Sequence, residues 1–91
     1  MHSITDNTLE HRLEIREDGH LAYLDYRMRG DAVEYLHTET PEELKGRGLA
    51  SELAKFALDR DLASGRKVIA TCPFVKTYIK RHPEYGPLVG P

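Results

Sequence analysis

Tryptophan is absent from this 91-residue chain, and cysteine occurs once, at Cys72. A single thiol excludes an internal disulfide and any zinc centre built on several cysteines, and the five histidines lack ligand-type spacing, so no metal site is expected. No apolar run approaches the roughly 20 residues that span a bilayer, which excludes a membrane helix. The start, Met1 to Asn7, has no basic cluster followed by an apolar stretch. Neither a signal nor a transit peptide is expected, a cytoplasmic location is favoured, and residues 1–7 are expected to be flexible. Charge of one sign is also missing. A net charge of −2 and aromatics at only 8% make nucleic acid an improbable partner.

What is present suits one globular α+β domain over residues 1–91, with 40% hydrophobic and 31% charged residues. Charge is distributed unevenly. Residues 1–44 carry eleven acidic and four basic side chains, net −7, whereas residues 45–91 carry four acidic and nine basic, net +5. An anion prefers the second half, and a cation the first, although mutual attraction of the two halves explains the same asymmetry.

Periodicity orders the elements. Leu9 to Glu17 and His20 to Arg29 alternate with period two around the Asp18-Gly19 turn, and Gly30-Asp31 leads into a third strand, Ala32 to Glu39. Strict alternation puts Val33, Tyr35 and His37 on one face and Glu34, Leu36 and Thr38 on the other. Pro41 ends this meander, and Glu42 to Arg47 reads as a polar loop. A helix then starts near Gly46 to Leu49, burying Leu49, Ala50, Leu53, Ala54, Ala57, Leu58 and Leu62, and is capped at Gly65. Lys67 to Ala70 reads as a buried strand, parallel to the third because of the crossover. Pro73 opens a short helix, Phe74 to Lys80, and Tyr85 to Pro91 reads as irregular. The sheet therefore has at least four strands.

Chemistry concentrates in Lys45-Gly46-Arg47-Gly48, between a strand and the mouth of a helix. Unpaired N–H groups converge there at the positive end of the helix dipole, which makes a cradle for phosphate. A dinucleotide fingerprint would need glycine at Ser51, and a P-loop would need Gly-Lys-Ser/Thr; neither occurs. Cys72 stands at the other helix start, where thiols become reactive, and equally suits a small buried hydrophobe.

The segment Glu43-Leu44-Lys45-Gly46-Arg47-Gly48 resembles the Q/R-x-x-G-x-G/A signature of GNAT-type N-acyltransferases, with Glu43 replacing the usual first residue. His37-Thr38-Glu39-Thr40-Pro41, Gly48-Leu49-Ala50, Cys72-Pro73-Phe74-Val75 and His82-Pro83-Glu84-Tyr85 extend the resemblance to the small GNAT-like branch marked by a Cys and a Gly. That resemblance implies a mixed sheet, an antiparallel meander plus a parallel crossover, with one long and one short helix. It implies acetyl-CoA or CoA as cosubstrate, with pyrophosphate on Lys45, Gly46, Arg47, Gly48, Leu49 and Ala50. The pantetheine arm would lie among Leu36, His37, Thr38, Thr71 and Cys72. An amine would accept the acetyl group, with Glu39 as base, Cys72 as nucleophile or lining group and Tyr78 as the acid for the departing thiolate. A CoA-binding module without catalysis is the alternative.

Overall fold

The computed structural model describes residues 2–89. Five strands lie in sequence order, β1 (Thr5–Asn7), β2 (Arg12–Glu17), β3 (His20–Arg29), β4 (Ala32–Glu39) and β5 (Lys67–Ala70). The first four are antiparallel, and β5 joins β4 in parallel after α1 (Leu49–Ser64) has crossed the sheet. Helix α2 (Pro73–Arg81) follows β5, and short 3₁₀ turns occupy Glu42–Leu44 and Pro83–Leu88. The α+β mixed sheet with a long and a short helix is thus the architecture observed.

The alternation read from the sequence divides the sheet into two faces. Leu13 and Ile15 of β2 pair with Leu24 and Ala22 of β3 and point inward, joined by Tyr26, Val33, Tyr35 and Val68. Leu53, Ala57 and Leu58 of α1 and Val75 and Ile79 of α2 complete this single core. Both helices therefore cover one face. The alternate positions Arg12, Arg16, Tyr23, Asp25 and Arg27 stay on a helix-free face. Glu14 on that face is nearly enclosed. Burial raises the pKa of its carboxyl, but Arg12 at 2.6 Å and Asn7 at 3.0 Å outweigh this and hold it below the usual range.

Four expectations are corrected. The first long strand begins at Arg12, because Thr8 to His11 turn the chain, with His11 at φ +56° and its carbonyl accepting from the Tyr26 N–H. The turn folds Thr5–Asn7 back as an edge strand on β2, where a flexible start was expected. Leu62 is 41% exposed, and Asp61 is buried instead, because its carboxylate accepts the Tyr35 hydroxyl. The tail is helical at Pro83–Leu88, and Tyr85 and Leu88 are buried; residues 90 and 91 lie outside the described residues.

Tyr35 and Asp61 link β4 to α1 inside the core. Burial, and then the bond to Tyr35, set the balance at Asp61, whose pKa is raised; burial and the same bond push the Tyr35 hydroxyl up. We predict that Tyr35→Phe destabilises the fold by about 1–3 kcal/mol, because it leaves Asp61 buried without a partner. A raised folded-state pKa means that the native protein binds the Asp61 proton more tightly than the unfolded chain does. Stability linked to this group is complete below about pH 4 and declines as pH rises through the folded value. Asp61→Asn should therefore gain stability relative to the parent between pH 4 and pH 7, as measured by urea unfolding. A constant difference across that range would refute the linkage.

Candidate functional site

The site is built where β4 and β5 part. Their register runs Ala32–Lys67, Val33–Val68, Glu34–Ile69 and Tyr35–Ala70, and ends there. The Cys72 N–H then donates to the Tyr35 carbonyl at 2.8 Å, and Pro73 turns the chain into α2. Among the described residues β4 continues to Glu39 without a partner on that side, so the pairing opens beyond Tyr35 into a cleft between the two strands.

A bulge decides which side chains face this cleft. Asp25 pairs with His37, but the next pair is Tyr26 with Tyr35, so Leu36 is an extra residue in β4. Alternation resets at this point. His37 leaves the face of Val33 and Tyr35, to which strict alternation assigned it, and Thr38 moves to the covered face opposite Leu24. Thr38 Oγ1 lies 3.1 Å from Cys72 Sγ, and the thiol is only 2% exposed within the core. His37 and Glu39 project outward, each about half exposed, with Nε2 and Oε1 3.0 Å apart. Glu39 is therefore available to solvent and coupled to an imidazole.

The loop before α1 carries two left-handed glycines at the mouth of a helix. Gly46 at φ +82° and Gly48 at φ +74° occupy the left-handed region, where a Cβ is strained even though open space surrounds each position. Gly48 is the N-cap and supplies no side chain, so the first amides of α1, at Leu49, Ala50 and Ser51, receive no cap from it. The Glu52 N–H begins the helical pattern with a bond to the Gly48 carbonyl. The long side chains of the loop are held elsewhere. Arg47 Nη1 reaches Glu17 at 2.6 Å and Asp18 at 2.8 Å in the β2–β3 turn, and Lys45 pairs with Glu42 at 3.0 Å. Glu43 points toward His20, 3.8 Å away. His2 adds a further tie, bridging Glu17 at 2.5 Å and Glu52 at 2.6 Å, and its pKa is raised chiefly by the hydrogen bond it donates to Glu52.

The remaining candidates separate. Thr71 donates to Glu34 at 2.5 Å; this bond and Arg27 hold the Glu34 carboxyl below its usual range. Tyr78 stacks on His82 at 4.0 Å and also against Phe74 and Tyr85, with Lys55, Asp59 and Glu84 as its charged neighbours. Its surroundings are thus α1 and the last 3₁₀ turn. Sequence reasoning missed Glu17 and Asp18 as counter-ions of Arg47. They lie 30 and 29 residues away, and only the turn brings them near.

A splayed parallel pair beside a glycine-bearing helix mouth defines a GNAT-like acetyltransferase fold. Residues 12–88 match the family described as GCN5-related N-acetyl-transferase, and the chain belongs to it. Among curated relatives, Protein NATD1 of Homo sapiens is 41% identical over 51 residues, covering 56% of this chain and 45% of that protein. Protein NATD1 of Danio rerio is 38% identical over 55 residues, covering 58% of this chain and 50% of its own length. The matched region spans about half the length of these relatives. A GCN5-like N-acetyltransferase from Staphylococcus aureus, solved by NMR, superposes with a TM-score of 0.76 at 25% identity, covering 97% of this chain and 87% of that one. No helix among the described residues is long and apolar enough to cross a membrane.

Burial and the Thr38 contact predict a protected thiol. Alkylation of Cys72 by iodoacetamide at pH 7 should be at least about tenfold slower in the native protein than in urea, because reaction then requires local opening. Intact-mass spectrometry measures both rates. Equal rates would mean that the thiol is open to solvent.

Proposed function

We propose that this domain transfers an acetyl group from acetyl-CoA to an amine. The observation that carries this reading is the coincidence of the uncapped α1 N-terminus, reached through two left-handed glycines, with the cleft left where β4 and β5 part. The amides of residues 45–50 suit the pyrophosphate, for which a helix N-terminus is a natural host. With Lys45 and Arg47 already paired, the backbone is the principal ligand. Leu36, His37 and Thr38 on one side and Thr71 and Cys72 on the other suit the pantetheine arm.

The pair His37–Glu39 then acts on the acceptor. The attacking amine must be neutral, and the pair takes its proton, directly or through water. The amine nitrogen bonds to the acetyl carbon, the carbon–sulfur bond breaks, and the thiolate leaves to be protonated. Direct transfer is favoured over a covalent route through Cys72, whose sulfur is buried against Thr38. Tyr78 would serve as the acid only after leaving its stack. One observation favours a CoA-binding module without catalysis: His37 and Glu39 are both half exposed, so water reaches the pair. Turnover of acetyl-CoA with an amine separates the two readings.

CoA should raise the melting temperature, because a ligand bound only by the native state stabilises it by about 2.7 kcal/mol at a hundredfold excess over Kd. Gly46→Val or Gly48→Val should remove most of this shift while the fold persists, because positive φ strains a β-branched residue by about 1–2 kcal/mol. If millimolar CoA leaves both the melting temperature and the amides of residues 45–50 unchanged, the cosubstrate assignment fails.

A further inference from the structure

A groove of about 560 Å³ opens on the helix-free face, lined by Glu10, Arg12, Asp25, Arg27, Met28 and Leu36, among others. Leu36 is the bulge residue of β4, and Asp25 is the cross-strand partner of His37, so the groove adjoins the His37–Glu39 pair. Its two ends differ in charge. At one end Arg12 forms its ion pair with Glu14, at 2.6 Å, and lies over the Tyr23 ring at 4.8 Å, while Glu10 and Asp25 add their fields to it and enter no ion pair among the described residues. Even counting Arg16, which reaches Glu14 at 3.8 Å from an exposed position, this end keeps one uncompensated negative charge. At the other end Arg27 at 3.0 Å and Arg29 at 3.4 Å share the single carboxylate of Glu34, leaving one uncompensated positive charge.

Asp25 and Arg27 are two positions apart on the same face of β3, about 7 Å along the strand. Leu36 supplies apolar surface beside them. A cationic ligand would meet Arg27 and Arg29, and an anionic one would meet Glu10 and Asp25. A molecule with both charges at its two ends satisfies both. We propose that this groove is the acceptor subsite and that the acceptor is a zwitterionic amine. Its ammonium rests on Asp25 beside His37, and its carboxylate, separated by a short alkyl chain, rests on Arg27. The inference rests on the acyltransferase reading and adds the chemical class of the acceptor.

The test uses three five-carbon probes that differ only in their end groups: 5-aminopentanoate, 1,5-diaminopentane and glutarate. Each is titrated into the isotope-labelled domain while amide shifts are followed, with a separate CoA titration read at residues 45–50. We expect 5-aminopentanoate to shift the amides of Asp25, Arg27 and Leu36 and to bind about tenfold or more tightly than either control, as the loss of one charge-assisted contact implies. Asp25→Asn and Arg27→Gln should each weaken it by a similar factor, Arg27→Lys should retain part of the affinity, and the CoA titration should be unchanged in all three variants. Equal affinity for the three probes, tighter binding of diamine or glutarate, or shifts confined to other residues would overturn the proposal. Failure of the CoA titration alone would instead strike the acyltransferase reading, because the probe titration does not depend on it.

Discussion

Tyr35 is the residue at which the parts of this domain are tied together. Its backbone completes the last β4–β5 pair with Ala70, and its carbonyl receives the Cys72 N–H that starts α2. Its hydroxyl reaches across the core to Asp61 of α1, and on its other side it pairs with Tyr26. Sheet, crossover helix and second helix thus converge on one side chain and one peptide unit. Beyond Tyr35 the strands cannot stay together, because Pro73 commits the chain to a helix while β4 runs on. A fully buried tyrosine with a buried carboxylate is an expensive pairing for a core of this size. What it secures is the place where the cleft begins.

The bulge at Leu36 works with that tie. One extra residue in β4 sends Thr38 toward the thiol and His37 and Glu39 to the open face. Without it, the imidazole would point into the core and the Thr38 hydroxyl would point away from Cys72. The Thr38–Cys72 contact and the His37–Glu39 pair thus lie on opposite faces of one strand, next to the point where β4 and β5 part. Bulges recur beside active sites for this reason: they re-aim side chains without breaking the sheet.

Charge is arranged on the same plan. The acidic excess of the first half and the basic excess of the second partly cancel across the fold, as between Arg47 and the Glu17–Asp18 turn and between Arg60 and Asp6 at 2.9 Å. This cancellation ties the charge of Arg47 to the Glu17–Asp18 turn, while the first amides of α1 receive no cap from Gly48. Exposed pairs of this kind contribute little stability, about 0–1 kcal/mol each, so their main effect is on the field around the loop.

Local patterns were enough to read the meander strands β3 and β4, helix α1 with its stop at Gly65, strand β5, and the glycine-bearing entry to α1 at Gly46 and Gly48. Alternation, helical periodicity and glycine chemistry act over a few residues, and the chain carries them openly. The orientation of His37, the burial of Asp61 in place of Leu62, the edge strand at Thr5–Asn7 and the counter-ions of Arg47 were not legible in the same way. Each depends on contacts between residues far apart in sequence: a register shift between two strands, a hydroxyl from β4 meeting α1, a turn returning the N-terminus to β2, and a hairpin reaching the helix mouth. Sequence by itself determined most of the strands and helices and the glycine-bearing mouth of α1, because those follow from backbone preferences. The tertiary structure alone decided which side chains face the cleft, because one inserted residue in a strand inverts the alternation on which any reading of faces relies.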